Sequence, residues 1–369
     1  MNILIFVIIL LVLVLVHESG HFFTAKRFGI RVDEFGFGFP PKLFGIKRGE
    51  TEYTFNALPI GGFVKIFGEN PDEENTYGPD KERSFVNKPA WQQAIVLFAG
   101  IFANFLLAWL LFSFGFMSGL PTSVGSERKG YQLKDVNLVV VSVLANSPAE
   151  KAGLKTGDKI INIRNDNSFT AHVSPETVKS FVLEGGGREI DIGYVRGDYS
   201  ETTILSTAKI IPAVSTADNK PEIGISMDMI GIAKLPFFVS LLEGMKLDLN
   251  VTKGTVVGLF GLIKETVMGK GSFESVTGPV GLVKIAGDAY QFGLAYLLSF
   301  AGLISVNLAI VNFLPFPALD GGRLLFLLIE KIKGSRLNPK FANTANMIGF
   351  GLLILLMIVI TYHDVVKLF

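Results

Sequence analysis

Residues 3–25 read ILIFVIILLVLVLVHESGHFFTA, and this stretch decides the class of the protein. Positions 3 to 16 carry no polar side chain, and apolar character resumes at Phe22 and Phe23. The run is just long enough to cross roughly 30 Å of hydrocarbon. A signal peptide would offer a basic start and a small-residue cleavage site, and neither is present. The interruption is His17-Glu18-Ser19-Gly20-His21, an HExxH spacing. On a helix, i and i+4 share a face, so both imidazoles can reach one zinc with Glu18 beside them as a base. At 1.5 Å per residue, His17 lies roughly 20 Å from the outer end of the helix, still within the hydrocarbon. Ionisable groups at that depth are costly unless they face one another, a metal or a water-filled cavity. A satisfied histidine pair would need buried partners that a membrane helix rarely offers, so these residues read as a zinc site.

Working outward, the 369 residues are 49% hydrophobic and 18% charged, with a formal net charge of +1. That balance argues against a disordered, collagen-like or nucleic-acid-binding chain. Cysteine is absent, so any transition metal falls to histidine and carboxylate. Three more apolar runs follow: Trp91–Leu120, one from near Phe292 through LSFAGLISVNLAIVNFLPFPALDGGRLLFLLI, and Met347–Tyr362. The count is four spans. Lys26, Arg27 and Arg31 open a basic connection after the first span, and Lys331, Lys333, Arg336 and Lys340 fill the one between the third and fourth. Both connections therefore face the cytosol, and the region 121–290 starts outside.

From about Glu127 to Ile211 the pattern is that of a separate small globular unit. NLVVVSVL is β-rich; Ser147, Pro148 and Glu150 form a capping box with proline at the first helical position, and Gly153 ends that short helix. KIINIRND reads as a strand, Ser174–Leu183 as a helix, and REIDIGYVRGD as an alternating strand pair. Residues 32–68 are rich in Gly and Phe with alternation around TEYTFNA, a cytosol-side β-hairpin lying against or dipping into the membrane. Residues 70–84 read as a polar surface loop. LPFFVSLLEGMKLDLNVTKGTVVGLFGLIKETV is amphipathic but too interrupted to span, and predicts a surface-lying helix pair.

A catalytic zinc has three protein ligands and an open position. Asp320, within NFLPFPALDGGRLLFLLIE, is the outstanding third ligand. Counting back from Lys331 puts it roughly 16 Å from the cytosolic end, comparable in depth to His17. Pro315 and Pro317 break the helix before it, and non-helical backbone at that depth belongs beside a cavity. The bland alternative is an ion pair with Arg323. Asp288 and Asp364 lie nearer the outer ends of their spans and read as solvated. Asn312 suits either a hydrogen bond to a substrate carbonyl or the capping of freed backbone. His172 and His363 receive no role.

HExxH in the first span, with Asn312-Phe-Leu-Pro315-Phe-Pro317-Ala-Leu319-Asp320-Gly321, resembles the bacterial branch of the site-2 protease family of intramembrane zinc metalloproteases. SPAEKAGLKTGDKIINI resembles the PDZ signature that this branch inserts between its second and third spans. Gly36-Phe37-Gly38, Gly61-Gly62 and Gly278-Pro279-Val280-Gly281 fit other stretches of the family. The family's best-known enterobacterial members have two PDZ domains, whereas this chain has space for one. The expected architecture is a polytopic α-helical membrane protein of about four transmembrane helices, with a membrane-associated β-hairpin element and an inserted extracytoplasmic PDZ (α+β) domain. Its parts are the first transmembrane helix at 1–25, the β element and loop at 26–89, and the second transmembrane helix at 90–120. The PDZ domain follows at 126–215, amphipathic surface helices at 216–290, and the third and fourth transmembrane helices at 291–333 and 341–364.

The resemblance implies that His17, His21 and Asp320 ligate Zn2+ and that Glu18 activates water. It implies too that Asn312 positions substrate and that the β-element at Gly36 and Gly38 pairs with an unwound substrate strand. Substrates of the family are single-span membrane proteins such as anti-sigma factors and signal-peptide remnants, cut in the bacterial cytoplasmic membrane. The alternatives fit less well. A metal transporter would need polar residues along several spans, a scaffold would lack the catalytic set, and an anchored soluble zincin would not run from an apolar helix directly into His17.

Overall fold

The computed structural model describes residues 2–70, 72–126, 131–144, 146–185, 187–197, 205–214, 220–269 and 277–366. The chain divides into two compact units, one of residues 1–114, 241–290 and 297–369, the other of 115–240 and 291–296.

The first unit opens with α1 (Asn2–Arg27), whose last turn carries Lys26 and Arg27 where the helix dipole favours cations. Gly29 at φ +66° closes the helix, and the Ile30 N–H returns to the Ala25 carbonyl at 2.9 Å. Two long strands follow, β1 (Val32–Arg48) and β2 (Thr51–Ile66). They are bent and meet twice: 42–48 pairs with 51–56 across the tight turn at 49–50, and 32–37 pairs with 62–66. Residues 34–37 also lie beside 52–55, as in the partners Phe35↔Tyr53 and Gly36↔Thr54. The predicted hairpin is therefore a four-pass sheet with 34–37 inside it. Its inner end joins Phe22, Ile30, Val32, Phe35, Val64, Val96 and Leu97 in one core. Its far end leaves Phe39, Leu43, Phe44 and Ile46 exposed, with Phe44 stacked on Phe55 at 5.3 Å between ring centroids. Lys26 and Arg83 both pair with Glu50 in the turn; burial raises that carboxyl, and these two hydrogen bonds outweigh it and hold it below its ordinary range.

Residues 70–84, expected as plain loop, include α2 (Glu73–Tyr77), capped by Asp72, whose side chain accepts the Asn75 N–H at 2.7 Å. Next comes α3 (Ala90–Ser118).

The second unit contains β3 (Leu120–Ser123), β4 (Lys134–Val143), α4 (Pro148–Lys151), β5 (Lys159–Arg164), β6 (Phe169–Thr170), α5 (Pro175–Gly185), β7 (Ile190–Val195), β8 (Ser206–Ile210), β9 (Ala213–Val214), β10 (Pro221–Glu222) and β11 (Ile225–Ala233). Its main sheet runs β3-β11-β4-β5-β7-β8, with β6 beside β5. Leu138, Val140, Ile160, Ile163, Phe181, Ile190 and Ile192 centre its core. Ser147 caps α4 as read, but the Glu150 carboxylate accepts the N–H of Asn146 at 2.6 Å instead of that of the cap residue. REIDIGYVRGD is one strand, β7, not a pair; its partners are β5 and β8.

The predicted limits of this unit shift as well. Glu127 and residue 215 lie outside the described residues, but β11, expected among surface helices, sits between β3 and β4. ISMDM alternates apolar and polar as a strand does, and pairing with β3 and β4 extends the strand through the apolar IGIA.

The first unit resumes with α6 (Phe237–Val267), a single 31-residue helix where a pair was expected. Lys246, Asp248 and Lys264, the charges that interrupt its apolar pattern, do not break the helix, because packing decides the element. Leu247, Val251, Val256 and Leu259 of α6 lie against Ala108, Phe112, Val306 and Ile310. Gly244 faces Ser113 so closely that a side chain would not fit. Then come α7 (Pro279–Gln291), α8 (Leu294–Phe313), α9 (Asp320–Lys333) and α10 (Pro339–Val366). The expected span 291–333 is thus two helices separated by the proline break. Asp364, expected to be solvated, is buried and accepts the N–H groups of Gly278 at 3.1 Å and Gly281 at 2.9 Å. It anchors the start of α7 through the GPVG stretch, a carboxylate placed at a helix N-terminus.

Among the described residues four helices are long and apolar enough to cross a membrane: α1, α3, α8 and α10. α10 exposes Phe350, Leu352, Leu355 and Ile358, a surface suited to lipid. The chain is a multi-pass membrane protein.

Candidate metal centre

His17 and His21 lie on one face of α1, each 6% exposed, with ring centroids 4.8 Å apart. Asp320, the first residue of α9, brings its Oδ2 to 3.1 Å from His17 Nε2 and 3.3 Å from His21 Nε2. The two Nε2 atoms are 3.2 Å apart. A tetrahedral ion with nitrogen and oxygen ligands at roughly 2.0–2.1 Å separates neighbouring ligand atoms by roughly 3.3 Å, so this triangle matches one face of a zinc site. Asp320 Oδ2 is buried with the two imidazole Nε2 atoms beside it, an acceptor that a cation held by all three would satisfy. These three residues are the one group with metal-binding geometry among the described residues.

Close helix packing sets the histidines. A Cβ on Gly20 would overlap the Ala99 carbonyl, and one on Gly100 would overlap the His21 imidazole. Both positions must lack a side chain for α1 and α3 to approach this closely. His21 Nδ1 then reaches the Val96 carbonyl of α3 at 2.8 Å. A proton donated there leaves the Nε2 lone pair for a metal.

The proline break sets Asp320. α8 ends at Phe313, and the chain turns back with Phe316 N–H donating to Leu314 O at 2.7 Å and Leu319 N–H to Phe316 O at 3.1 Å. Ala318 sits at φ +79°, in the left-handed region, and its N–H donates to Asn346 Oδ1 of α10 at 3.1 Å. Gly321 and Gly322 lie against the carbonyls of Phe313, Leu314 and Phe316, where no Cβ would fit. The turn therefore folds over the first turn of α9 and aims Asp320 at α1.

Glu18 follows His17 on α1, with the Val64 backbone of β2 near its carboxylate. Arg323 pairs with Glu69 and not with Asp320, which removes the ion-pair alternative for Asp320. Asn312 Nδ2 lies 3.4 Å from His17 Nε2, at the rim of the metal triangle. One freed backbone N–H of the break, that of Ala318, is capped by Asn346. Gly36 does not form an edge. Gly36 lies between Phe63 and Thr54, and Gly38, at φ +74°, starts the bend with its carbonyl accepting from Asn56 at 3.1 Å. The pass 62–66 has 32–37 on one side and Glu18 facing Val64 on the other.

Sequence reasoning missed Val96, Gly100, Asn104 and Asn346. Asn104 alone left a signal, as an amide inside the second apolar run.

The sequence matches the family model described as Peptidase family M50 over residues 5–356. A Clostridium perfringens protein, named as a candidate zinc metalloprotease, is 35% identical over 356 residues, covering 96% of this chain and 95% of its own. Zinc metalloprotease RasP of Shouchella clausii is 30% identical over 442 positions, covering 100% of this chain and 99% of that protein. Regulator of sigma-W protease RasP of Bacillus subtilis is 31% identical over 442 positions, covering 99% and 98%.

Proposed function

The chain belongs to peptidase family M50, and from that premise we propose that it hydrolyses peptide bonds within or beside the transmembrane segments of single-span membrane proteins. It is a metalloprotease whose cofactor is Zn2+, as its relatives are named. The observation that carries the reading is the His17, His21 and Asp320 triangle at 3.1–3.3 Å, with both histidines and Glu18 on α1, a helix long and apolar enough to span.

When bound, zinc lowers the pKa of a water ligand to about 7 and polarises a peptide carbonyl. His17 Nε2, His21 Nε2 and Asp320 Oδ2 would hold it. The Glu18 carboxylate takes the proton of the attacking water and returns it to the leaving amine. Asn312, at the rim, offers its amide N–H to the scissile carbonyl. A helical peptide bond is shielded by its own hydrogen bonds and must first be extended. The outer side of 62–66, which faces Glu18, offers backbone partners to such an extended segment by strand addition. This replaces Gly36 as the docking strand, since Gly36 has Phe63 on one side and Thr54 on the other.

The second unit supports a PDZ reading, with a cavity of about 690 Å³ between α5 and the β10–β11 region, lined by Val143, Leu144, Val178, Val182, Ile223 and Met227. Its proposed role is to filter or dock substrate. The basic residues at 26–31 and 331–340 support a cytoplasmic-membrane topology with the metal site nearer the cytosol and the PDZ unit outside. Anti-sigma factors and signal-peptide remnants are the proposed substrates, and the sigma-W regulator name of the Bacillus subtilis relative fits the first.

The test is cleavage of a tagged single-span membrane protein by wild type and Glu18→Gln, with zinc assayed on both. The variant is expected to keep about one zinc and lose about 10²- to 10⁴-fold in rate. Equal cleavage would overturn the assignment of Glu18.

A further inference from the structure

We propose that Asn104 is a positioning residue for the metal: its Oδ1 accepts the Nδ1 proton of His17 and so fixes the Nε2 lone pair toward the ion. The proposal rests on the reading of His17 as a zinc ligand. Asn104 is fully buried on α3. Its Nδ2 lies 3.3 Å from His17 Nδ1, while its Oδ1 is buried without a partner. In that orientation the amide donates to Nδ1, so the proton of a neutral imidazole must sit on Nε2. Nε2, however, is the atom that faces Asp320 Oδ2 and His21 Nε2. A protonated nitrogen there cannot ligate a metal.

The oxygen and nitrogen of a side-chain amide are assigned from their hydrogen bonds. Turning the Asn104 amide over brings Oδ1 to His17 Nδ1. That one rotation gives the orphaned acceptor a donor and frees Nε2. The arrangement then parallels that of His21, whose Nδ1 reaches the Val96 carbonyl of the same helix. α3 thus orients both imidazoles, one through a backbone carbonyl and one through a side chain. Asn104 is itself tied to α8, because its carbonyl accepts the Ser305 hydroxyl at 2.8 Å.

The test uses the full-length protein in detergent and compares wild type, Asn104→Asp and Asn104→Leu. Asp keeps an acceptor in the same shape and cannot donate when ionised, and its charge is favourable beside a divalent ion. Leu keeps the volume and removes the acceptor. Zinc affinity is read by competition with a chromophoric chelator, and the ligand field by the visible spectrum of the cobalt-loaded protein. Asn104→Leu is expected to lose about 10- to 100-fold in zinc affinity, with altered cobalt bands. Asn104→Asp is expected to match wild type in both. Should Asn104→Leu fail to fold, as judged by melting of the metal-free protein, Asn104→Ala takes its place. Leu or Ala binding as tightly as wild type would overturn the proposal, and so would Asp binding as weakly as Leu. Wild type that binds no zinc would overturn the metal site itself, an outcome distinct from both.

Discussion

Gly20 and Gly100 control the distance between the histidine-bearing face of α1 and the helix behind it. Neither is needed for backbone conformation, since both are helical; each is needed because the partner atom occupies the place of a Cβ. Gly100→Ala puts a methyl group into the His21 ring. Overpacking of this kind costs about 1–3 kcal/mol. His21 is the part that can move, so zinc affinity is expected to fall about tenfold or more as the ligand loses its orienting Val96 carbonyl. Melting of the metal-free protein and chelator competition measure the two effects separately. Zinc affinity unchanged alongside a lowered melting temperature would show that the ring is not displaced. His17, Glu18 and His21 were legible because their chemistry is local to one turn of helix. Asn104 and Gly100 were not, because their partners are on another element.

Among the elements, the break between α8 and α9 does the most for the site. Pro315 and Pro317 announce it in sequence, but the direction it takes depends on α10. Asn346 holds the strained Ala318 through its N–H, and Gly349 lets the Pro317 carbonyl approach the α10 backbone. Asn346→Ala removes that acceptor and is expected to destabilise the turn by about 1 kcal/mol. Hydrogen exchange at the Ala318 amide should then quicken relative to amides in the middle of α8. An unchanged rate would mean that the prolines alone hold the turn. The β element teaches the complementary lesson. Gly36 and Gly38 sit in a strand-like stretch, and strand content was readable from TEYTFNA. Which pass lies inside and which faces Glu18 depends on how β1 and β2 bend, and alternation along one strand carries no record of that.

At the scale of the molecule, each of the two units has its own core, and every residue of the metal centre belongs to the first. In the second, Asp158 is fully buried and accepts the Arg196 guanidinium through two hydrogen bonds of 2.7 Å and the Lys155 N–H at 2.8 Å. Arg196→Ala leaves that carboxylate with one donor, a loss of about 1–3 kcal/mol. Limited proteolysis of the full chain should then cut faster within 115–240 while zinc content stays at the wild-type level. Zinc lost in parallel would show that the metal centre depends on the second unit.

The sequence by itself determined the membrane class, through uninterrupted apolar runs, and the metal chemistry, through two histidines and a glutamate spaced for one helical face. It determined where a helix must break as well, because proline lacks the N–H that a helix requires. Tertiary structure decided the rest. β11 joined a sheet because β3 and β4 bracket it, α6 stayed whole because it packs against α3 and α8 despite its interrupting charges, and Asp364 turned inward to meet the start of α7. Each of these depends on a partner far along the chain, and local propensity, about 1 kcal/mol per residue at most for anything but proline, is too weak to settle such contests.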